Sequence, residues 1–226
     1  KLEQKLGLTN KPAAQQSSDA QDPPQDQLQT MINLYTKGHY KEALNQASKL
    51  LIEFPNSVIL YNTIGAANQG LDKLDEAIEA YKRALLIRPD DAMTYYNLGK
   101  GLKDHDKLDE AIEAFKKAIS FKPDYADAYS NMGIALQSHG KLDEAIEAYN
   151  KAISFKPDYA DAYSNMGIAL QSHGKLDEAI EAFKKALAIK PEYAEAYNNM
   201  GNTFRDQSRF DEAIEAFKKA LAIKPE

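Results

Sequence analysis

The sequence lacks several features on which whole classes of protein depend. It has no cysteine and no tryptophan, and the absence of cysteine excludes disulfide bonds, thiolate catalysis and cysteine-ligated zinc, although it does not fix the compartment. No run approaches 18 consecutive apolar residues, so we expect no membrane-spanning helix and no membrane partner. A methionine start is also lacking, since the first residue is Lys1. We therefore expect an excised piece from which targeting information could have been lost.

The sequence has fewer basic than acidic side chains. The 226 residues carry 28 Lys and Arg against 34 Asp and Glu, a formal net charge of −6. Nucleic-acid binding needs a basic face that contacts phosphates, so the charge argues against nucleic acid as a partner.

The sequence is rich in internal repetition. The stretch Lys117–Ala148 recurs without a single change as Lys151–Ala182, 34 positions later. Three columns of residues keep this spacing along the chain: Pro55, Pro89, Pro123, Pro157, Pro191 and Pro225; Gly65, Gly99, Gly133, Gly167 and Gly201; and Ala43, Ala77, Ala111, Ala145, Ala179 and Ala213. A period held this strictly predicts a stack of similar units that bury apolar surface between neighbours.

Each repeat is predicted to form two helices. Between Tyr125 and Ser138, apolar or small residues recur at i, i+3, i+4 and i+7, which is the pattern of one helix face. Gly140 breaks this helix, and a second one begins near Leu142. Pro157 stops the second helix, because proline has no N–H and disfavours the α region for the residue before it.

The same pattern predicts the core and the helix starts. We expect five tyrosines and five alanines in the core: Tyr61, Tyr95, Tyr129, Tyr163 and Tyr197 with Ala77, Ala111, Ala145, Ala179 and Ala213. We expect acidic N-caps for three first helices, at Asp124, Asp158 and Glu192. Glutamates four residues before lysines, as at Glu147 and Lys151, indicate a solvated charged face rather than a catalytic carboxylate pair.

The motif Tyr-x2-Met-Gly-x2-Leu, followed by Ala-x3-Tyr-x2-Ala and a closing Pro, resembles the tetratricopeptide repeat, with Tyr where that family often has Trp. The match covers residues 24–226. The resemblance implies an all-α fold, an α-solenoid of antiparallel helix pairs that forms a right-handed superhelix with its first helices lining a concave groove. It also implies a scaffold for protein–protein contacts.

We divide the chain into an N-terminal tail and six repeats. Residues 1–23 form the tail, whose richness in Gln, Ser, Ala and Pro is typical of a linker. The repeats are residues 24–57, 58–91, 92–125, 126–159, 160–193 and 194–226. The first repeat is degenerate, because Met31 replaces the usual glycine and Ala47 replaces the aromatic residue. Atypical end repeats are expected in such arrays.

The first helices carry a column of asparagines on the predicted groove side: Asn97, Asn131, Asn165 and Asn199. A carboxamide donates and accepts, so a row of asparagines can pair with the backbone of an extended peptide. First helices roughly 10 Å apart would present one Asn to about every third residue of a peptide that advances ~3.3 Å per residue. The column resembles the asparagine ladder in the tetratricopeptide arm of protein O-GlcNAc transferases. The alternative is that duplication kept helix-surface residues that bind nothing.

Other positions complete the predicted peptide-binding groove: Tyr96, Lys100, Asp127, Ser130, Ile134, Asp161, Ser164, Ile168, Glu195, Asn198 and Asn202. Asp127, Asp161 and Glu195 are expected on its rim, and Lys100 is the one clear basic residue facing in. Family members that hold the acidic C-terminal tails of heat-shock chaperones use a Lys/Asn/Lys/Arg clamp on these faces, which is missing here. The resemblance therefore favours neutral or basic extended segments.

Catalytic and metal sites find little support. His105, His139 and His173 occupy the same turn position in successive repeats, so they form a column rather than a cluster. A metal site needs ligands that converge within roughly 2–2.5 Å of one ion. No phosphate-cradling glycine loop is present, and no Ser–His–Asp convergence can be argued. We expect no enzyme activity, no metal and no cofactor.

Three functions remain open. The leading one is a protein-interaction scaffold that binds an extended peptide or a partner protein in its groove. The second is the substrate-recognition arm of a larger, transferase-like enzyme whose catalytic domain is absent, since similar arrays are attached to bacterial transferase-type enzymes. The third is a structural solenoid that assembles with itself.

The third function rests on the last helix. Its apolar stripe has nothing after it in sequence to cover it, and such a patch tends to find a partner. The stripe consists of Ile214, Phe217, Leu221 and Ile223. One expected partner is the N-terminal end of another array, which would give head-to-tail stacking. The other is the segment that carries Leu2, Leu6 and Leu8.

Overall fold

The computed structural model describes residues 22–225, and every regular element among them is an α-helix. Six first helices alternate with six second helices. The first helices are α1 (Gln25–Thr36), α3 (Val58–Gly70), α5 (Ala92–Asp104), α7 (Ala126–Ser138), α9 (Ala160–Ser172) and α11 (Ala194–Asp206). The second helices are α2 (Tyr40–Glu53), α4 (Leu74–Ile87), α6 (Leu108–Phe121), α8 (Leu142–Phe155), α10 (Leu176–Ile189) and α12 (Phe210–Ile223). The predicted all-α repeat fold is confirmed.

The helices group into two compact units, Lys1–Pro123 and Asp124–Glu226. In their described parts, unit 1 contains α1 to α6 and unit 2 contains α7 to α12. Each first helix packs on the second helix of its own pair, and a three-residue turn makes the two antiparallel. Within a unit, each second helix also packs on the first helix of the next pair. The boundaries of single repeats stay predictions.

The turn that follows each first helix contains one residue in the left-handed region of backbone conformation. It is glycine in three turns, at Gly38, Gly140 and Gly174, and a short polar residue in the others, at Asp72, Asp106 and Ser208. A Cβ added at the three glycines would meet nothing within 4 Å, so the backbone rather than crowding favours glycine there. Aspartate at φ 59° and serine at φ 61° keep the same turn.

The core follows the predicted alanines more closely than the predicted tyrosines. The five alanines are at most 3% exposed, which confirms their place between the helices. The five tyrosines are only partly buried and lie at the margin of the core. Two of them, Tyr95 and Tyr129, stack on Phe121 and Phe155 with ring centroids 5.8 Å apart. The interior aromatics are instead those of the second helices: Tyr81, Phe115, Tyr149 and Phe183, all at most 1% exposed.

Each interior aromatic ring packs against a glycine of the first helix in its pair. A Cβ at Gly65, Gly99, Gly133, Gly167 or Gly201 would lie only 2.5–2.7 Å from the facing ring. In the first repeat the two sizes are exchanged, since Met31 stands at the glycine position and Ala47 at the aromatic position, both fully buried. The large side chain is thus on the first helix and the small one on the second helix, so the volume of the core is conserved.

The prediction of acidic N-caps is wrong for three helices. Asp124, Asp158 and Glu192 each lie one residue before the N-cap position. A tyrosine without a side-chain cap bond occupies that position: Tyr125, Tyr159 and Tyr193. Side-chain caps do occur in unit 1, where Ser57 accepts from the Leu60 N–H at 3.2 Å and Asp91 accepts from the Thr94 N–H at 2.9 Å.

Candidate functional site

A cleft of about 460 Å³ opens on the side of unit 2 that its first helices form, which we call the first-helix face. It lies between α7 and α9. The lining residues are Ile134, Gln137 and Ser138 from α7, Leu142 and Tyr149 from α8, and Asn165, Ile168 and Ser172 from α9. Ile134 lies three and four positions before Gln137 and Ser138, and Asn165 lies three and seven positions before Ile168 and Ser172, so helical geometry places each set on one face.

The cleft combines apolar walls with a few polar groups. Ile134 and Ile168 supply apolar surface from the two facing helices. The Tyr149 hydroxyl donates to Oε1 of Gln137 at 3.1 Å, which fixes the amide at the base of the cleft. Burial raises the pKa of Tyr149 well above its ordinary value, so the phenol is neutral at physiological pH. The cleft therefore suits an uncharged, partly apolar ligand group.

The asparagine column is divided between the two units. Asn97 lies in unit 1 and is only 5% exposed. In unit 2, Nδ2 of Asn131 donates to the backbone carbonyl of Asp127 in its own helix at 2.9 Å. The Asn165 side chain lines the cleft and makes no hydrogen bond within residues 22–225, and Asn199 is partly exposed on α11. The structure thus brings Asn165 together with Ile134 and Ile168, while the ladder as a whole stays a prediction.

The remaining predicted groove residues differ in how much surface they offer. Three are buried: Tyr96 is 6% exposed, and Ser130 and Ser164 are 2% exposed. The others are exposed or partly exposed: Lys100, Asp127, Asp161, Glu195, Asn198 and Asn202. In unit 1, Nζ of Lys100 lies 5.8 Å from the centre of the Tyr96 ring. Buried side chains offer a ligand little surface, so these three residues are not part of the proposed binding surface.

A tyrosine that sequence reasoning missed lies close to two of the predicted groove residues. Tyr193, at the N-cap of α11, is near enough to Ser164 and Asp161 of α9 for both to influence the pKa of its hydroxyl. Burial is the main cause that raises the pKa of the Tyr193 hydroxyl. Nζ of Lys190 lies 4.3 Å from the centre of the same ring, within the range of a cation–π contact. The signal was present in the sequence, because Tyr follows Pro-Asp or Pro-Glu in three successive repeats.

The turn histidines connect neighbouring repeats. Nε2 of His105 lies 3.0 Å from Oδ1 of Asp75, and Nε2 of His173 lies 3.2 Å from Oδ1 of Asp143. In both cases the carboxylate belongs to the second helix of the preceding repeat. Within the described residues, no group of three or more His, Cys, Asp or Glu side chains could hold a metal ion. The helices of residues 22–225 are also too short or too polar to cross a membrane.

The helix α12 presents a second exposed surface. Its sequence almost repeats that of α10, so equivalent residues can be compared directly. Ile180 and Leu187 of α10, which pack with α11, are 3% and 8% exposed. The equivalent Ile214 and Leu221 of α12 are 50% and 54% exposed. The difference measures the surface that a neighbouring first helix covers.

The same comparison removes two residues from the predicted self-association stripe. Ile223 is 36% exposed, but its counterpart Ile189, which has α11 after it, is 38% exposed, so this exposure is ordinary for the position. Phe217 is partly buried and packs against Gly201, whose added Cβ would lie 2.7 Å from the ring. Ile214 and Leu221 therefore remain as the apolar end face.

The surface of α1 that the predicted head-to-tail contact would use is polar. The positions of α11 that face α10 are Ala196, Met200 and Thr203, which are all buried. The equivalent positions of α1 are Asp26, Thr30 and Asn33, which are polar and exposed. Head-to-tail stacking of one copy on another stays a prediction. The other predicted partner, the segment with Leu2, Leu6 and Leu8, lies outside the described residues.

Comparison with known proteins places the chain in one family. Models described as TPR repeat match residues 71–106, 101–140, 138–174 and 169–205, and the tetratricopeptide repeat model matches residues 194–226. None of the curated proteins gives a significant match.

Solved structures agree with this assignment. The crystal structure of MamA is 36% identical, covers 72% of this chain and 95% of its own, and has a TM-score of 0.67. YrrB, described as a TPR protein with an unusual peptide-binding site, is 24% identical over 80% of this chain and 93% of its own, with a TM-score of 0.64. PilF of Pseudomonas aeruginosa is 17% identical over 88% and 91%, with a TM-score of 0.77.

YrrB and PilF show a common fold alone at these identities. The repeat models, by contrast, cover more than half of the chain, and the motif residues on which they rest form the packed core described above. A link to transferase enzymes stays a prediction. The chain belongs to the tetratricopeptide repeat family and has the function of a protein-interaction scaffold.

Proposed function

We propose that the chain binds an extended peptide segment of a partner protein in the cleft between α7 and α9. The observation that carries this proposal is the meeting of two isoleucines and one asparagine amide in that cleft. Ligand sites typically combine apolar walls with a few polar groups that fix orientation. The cleft of about 460 Å³ falls within the usual size of such sites.

The apolar and polar residues of the cleft bind different parts of the peptide. An apolar side chain of the peptide enters between Ile134 and Ile168, where it loses contact with water. The Asn165 amide then donates to and accepts from the peptide backbone, and each such bond contributes on the order of 1 kcal/mol net. Asn199, one repeat further along unit 2, can bind the backbone about three residues later.

The charge around the cleft favours neutral or basic peptides. Asp161 and Glu195 are exposed at equivalent positions of α9 and α11, so the first-helix face of unit 2 is acidic at its rim. An acidic peptide would meet like charges there, which disfavours its approach.

We also propose that this chain acts only by binding and carries out no chemistry of its own. The described side chains supply hydrogen bonds and apolar surface at the cleft, with no nucleophile beside a base. The alternative of a recognition arm in a larger enzyme has no observation of its own, so we do not adopt it.

Selection from a displayed library of random peptides tests the proposal. Peptides enriched on the parent chain should lose affinity roughly thirtyfold when Asn165 and Asn199 are both changed to Ala, since two bonds of about 1 kcal/mol each are lost. Ile168→Asn should also weaken binding, and the fold should tolerate it because the sixth repeat has Asn202 at this position.

The matched control is Asn45→Ala, which removes an exposed asparagine from α2 of unit 1, away from both clefts. This variant should bind the selected peptides as tightly as the parent chain does. Peptides that bind the Asn165 and Asn199 double variant with parental affinity would contradict the proposal, and so would a selection that enriches no sequence.

A further inference from the structure

A second cleft lies on the other side of unit 2, between the second helices α8 and α10. It has a volume of about 370 Å³, and we call it the second-helix cleft. Its apolar base is formed by Ile146, Met166, Leu170 and Ala182. Leu170 and Ala182 belong to the buried core cluster of this unit, and Ile146 and Met166 pack against that cluster. The cleft is therefore an opening onto the core rather than a gap between charged side chains.

The rim of the second-helix cleft is acidic. Asp177, Glu178 and Glu181 line it from α10, and Lys185 is the cationic residue among the lining side chains. Two of the carboxylates have partners, since Nε2 of Gln207 donates to Asp177 at 2.8 Å and Nζ of Lys184 lies 2.8 Å from Glu181. Within residues 22–225, Glu178 makes no ion pair.

The rim of the second-helix cleft has an asparagine at a position where most repeats carry a cation. Asn150 on α8 also lines the rim. The equivalent position in four other repeats is lysine: Lys82, Lys116, Lys184 and Lys218.

The next repeat shows what such a lysine does. Glu212 is the residue equivalent to Glu178, and its pKa is held below the ordinary value mainly by the hydrogen bond from Arg209, with Lys184 also lowering it. At the second-helix cleft, Asn150 stands at the position equivalent to Lys184. Lys175 stands at the position equivalent to Arg209, and it pairs with Asp143 rather than with Glu178. The cleft thus keeps an acidic rim above an apolar base.

We propose that the second-helix cleft docks a segment of a partner protein that carries a large aliphatic side chain flanked by arginine or lysine. The aliphatic group occupies the base formed by Ile146, Met166 and Leu170, where burial of apolar surface favours binding. The flanking cation reaches Glu178 on the rim. Charge complementarity selects this occupant over an acidic or a purely apolar segment.

This surface is separate from the first-helix face, so the chain can hold two segments at once. The cleft for the extended peptide is lined by Ile134, Asn165 and Ile168, and none of these residues lines the second-helix cleft. A scaffold with two such sites brings two partners together, or holds one partner at two points with a gain in avidity.

Three labelled peptides test the docking site by fluorescence anisotropy at low ionic strength. The probe is Ser-Arg-Leu-Leu-Arg-Ser, the charge control is Ser-Glu-Leu-Leu-Glu-Ser, and the apolar control is Ser-Arg-Ser-Ser-Arg-Ser. The chain should bind the first peptide more tightly than either control. Its affinity should fall as salt is added, because exposed charge pairs are screened.

The decisive variant is Asn150→Lys, which restores the residue that four other repeats carry and so leaves the fold intact. We expect it to weaken binding of the probe about three- to tenfold, the scale of an exposed ion pair. Glu178→Gln should have a similar effect. Ser120→Lys on α6 of unit 1 adds the same charge elsewhere and should leave the affinity unchanged.

Equal affinities of the parent, Asn150→Lys and Glu178→Gln chains for the probe would overturn the proposal. A loss in Ser120→Lys as large as that in Asn150→Lys would overturn it too, since it would show a response to net charge alone. A parent chain that dimerises without peptide, and becomes monomeric in Asn150→Lys, would identify a second copy as the occupant and refute the one proposed. Asn165→Ala should leave probe binding intact, so failure of the extended-peptide site is distinguished from failure here.

Discussion

Two glycines in α5 should respond to the same substitution with opposite sign. A Cβ at Gly99 would lie 2.7 Å from Cε1 of Phe115, whereas a Cβ at Gly101 would meet Cγ1 of Ile78 at an ordinary 3.7 Å. Both glycines lie inside the same helix, two residues apart. The helix-propensity gain of Gly→Ala is therefore the same for both, about 0.8–1 kcal/mol.

The contact with Phe115 decides the sign at Gly99. That ring is fully buried, so it cannot rotate into open space to make room for a methyl group. Overpacking of a filled core typically costs about 1–3 kcal/mol, which matches or exceeds the propensity gain. We expect Gly99→Ala to lower the free energy of unfolding by up to about 2 kcal/mol, and Gly101→Ala to raise it by up to about 1 kcal/mol.

Urea unfolding followed by far-ultraviolet circular dichroism measures both changes against the parent chain. Because the two variants share a helix, a chain length and a substitution, the difference between their transition midpoints isolates the contact with the ring. Midpoints that move in the same direction by the same amount would refute the view that close glycine–aromatic packing sets the spacing of the helix pair.

Two further predictions concern the end face and the buried phenols. Sedimentation over a wide range of concentrations should show association of the parent chain that Leu221→Glu abolishes, because this residue is 54% exposed and outside the core of its own pair; a constant monomer mass of the parent would exclude it. Burial raises the pKa of Tyr149 above its ordinary 10.0, so the folded state keeps a proton that the unfolded state loses at alkaline pH. The contribution of this phenol to the free energy of unfolding is therefore fully present below about pH 10, and it is lost as the pH rises further. Tyr149→Phe, which matches Phe115 and Phe183, should move the alkaline unfolding midpoint upward, and a midpoint that stays in place would contradict this linkage.

Most of the fold could be predicted because the repeat supplies many copies of each local signal. Helix identity, the turn near Gly140, the stop at Pro157 and the buried alanines all follow from period and spacing. The helix starts were predicted one residue early, because acidic residues next to proline are common N-caps and nothing in the local sequence favours tyrosine there. The competing effect is tertiary, since Tyr193 lies close to Ser164 of the preceding first helix, α9.

The candidate site was less accessible to sequence reasoning. Spacing identifies a face of a helix, but the burial of a residue on that face depends on its neighbours. Ser164 and Asn165 are adjacent in sequence, yet Ser164 is buried while Asn165 lines an open cleft. The second-helix cleft was also missed, because Asn150 and Glu178, which lie in successive repeats, come together at its rim only in the folded chain.

Isoleucine-methyl nuclear magnetic resonance tests the central claim most directly. A peptide selected on the parent chain is titrated into protein with labelled isoleucine methyl groups, and the reporters are assigned with single Ile→Val variants. Ile134 and Ile168 line the first-helix cleft, whereas Ile146 and Ile180 lie on the side of the second helices or in the core. We expect the signals of Ile134 and Ile168 to shift together along a saturating curve that gives the dissociation constant of the peptide. The signals of Ile146 and Ile180 should stay unchanged. Saturable binding that leaves Ile134 and Ile168 unshifted would contradict it.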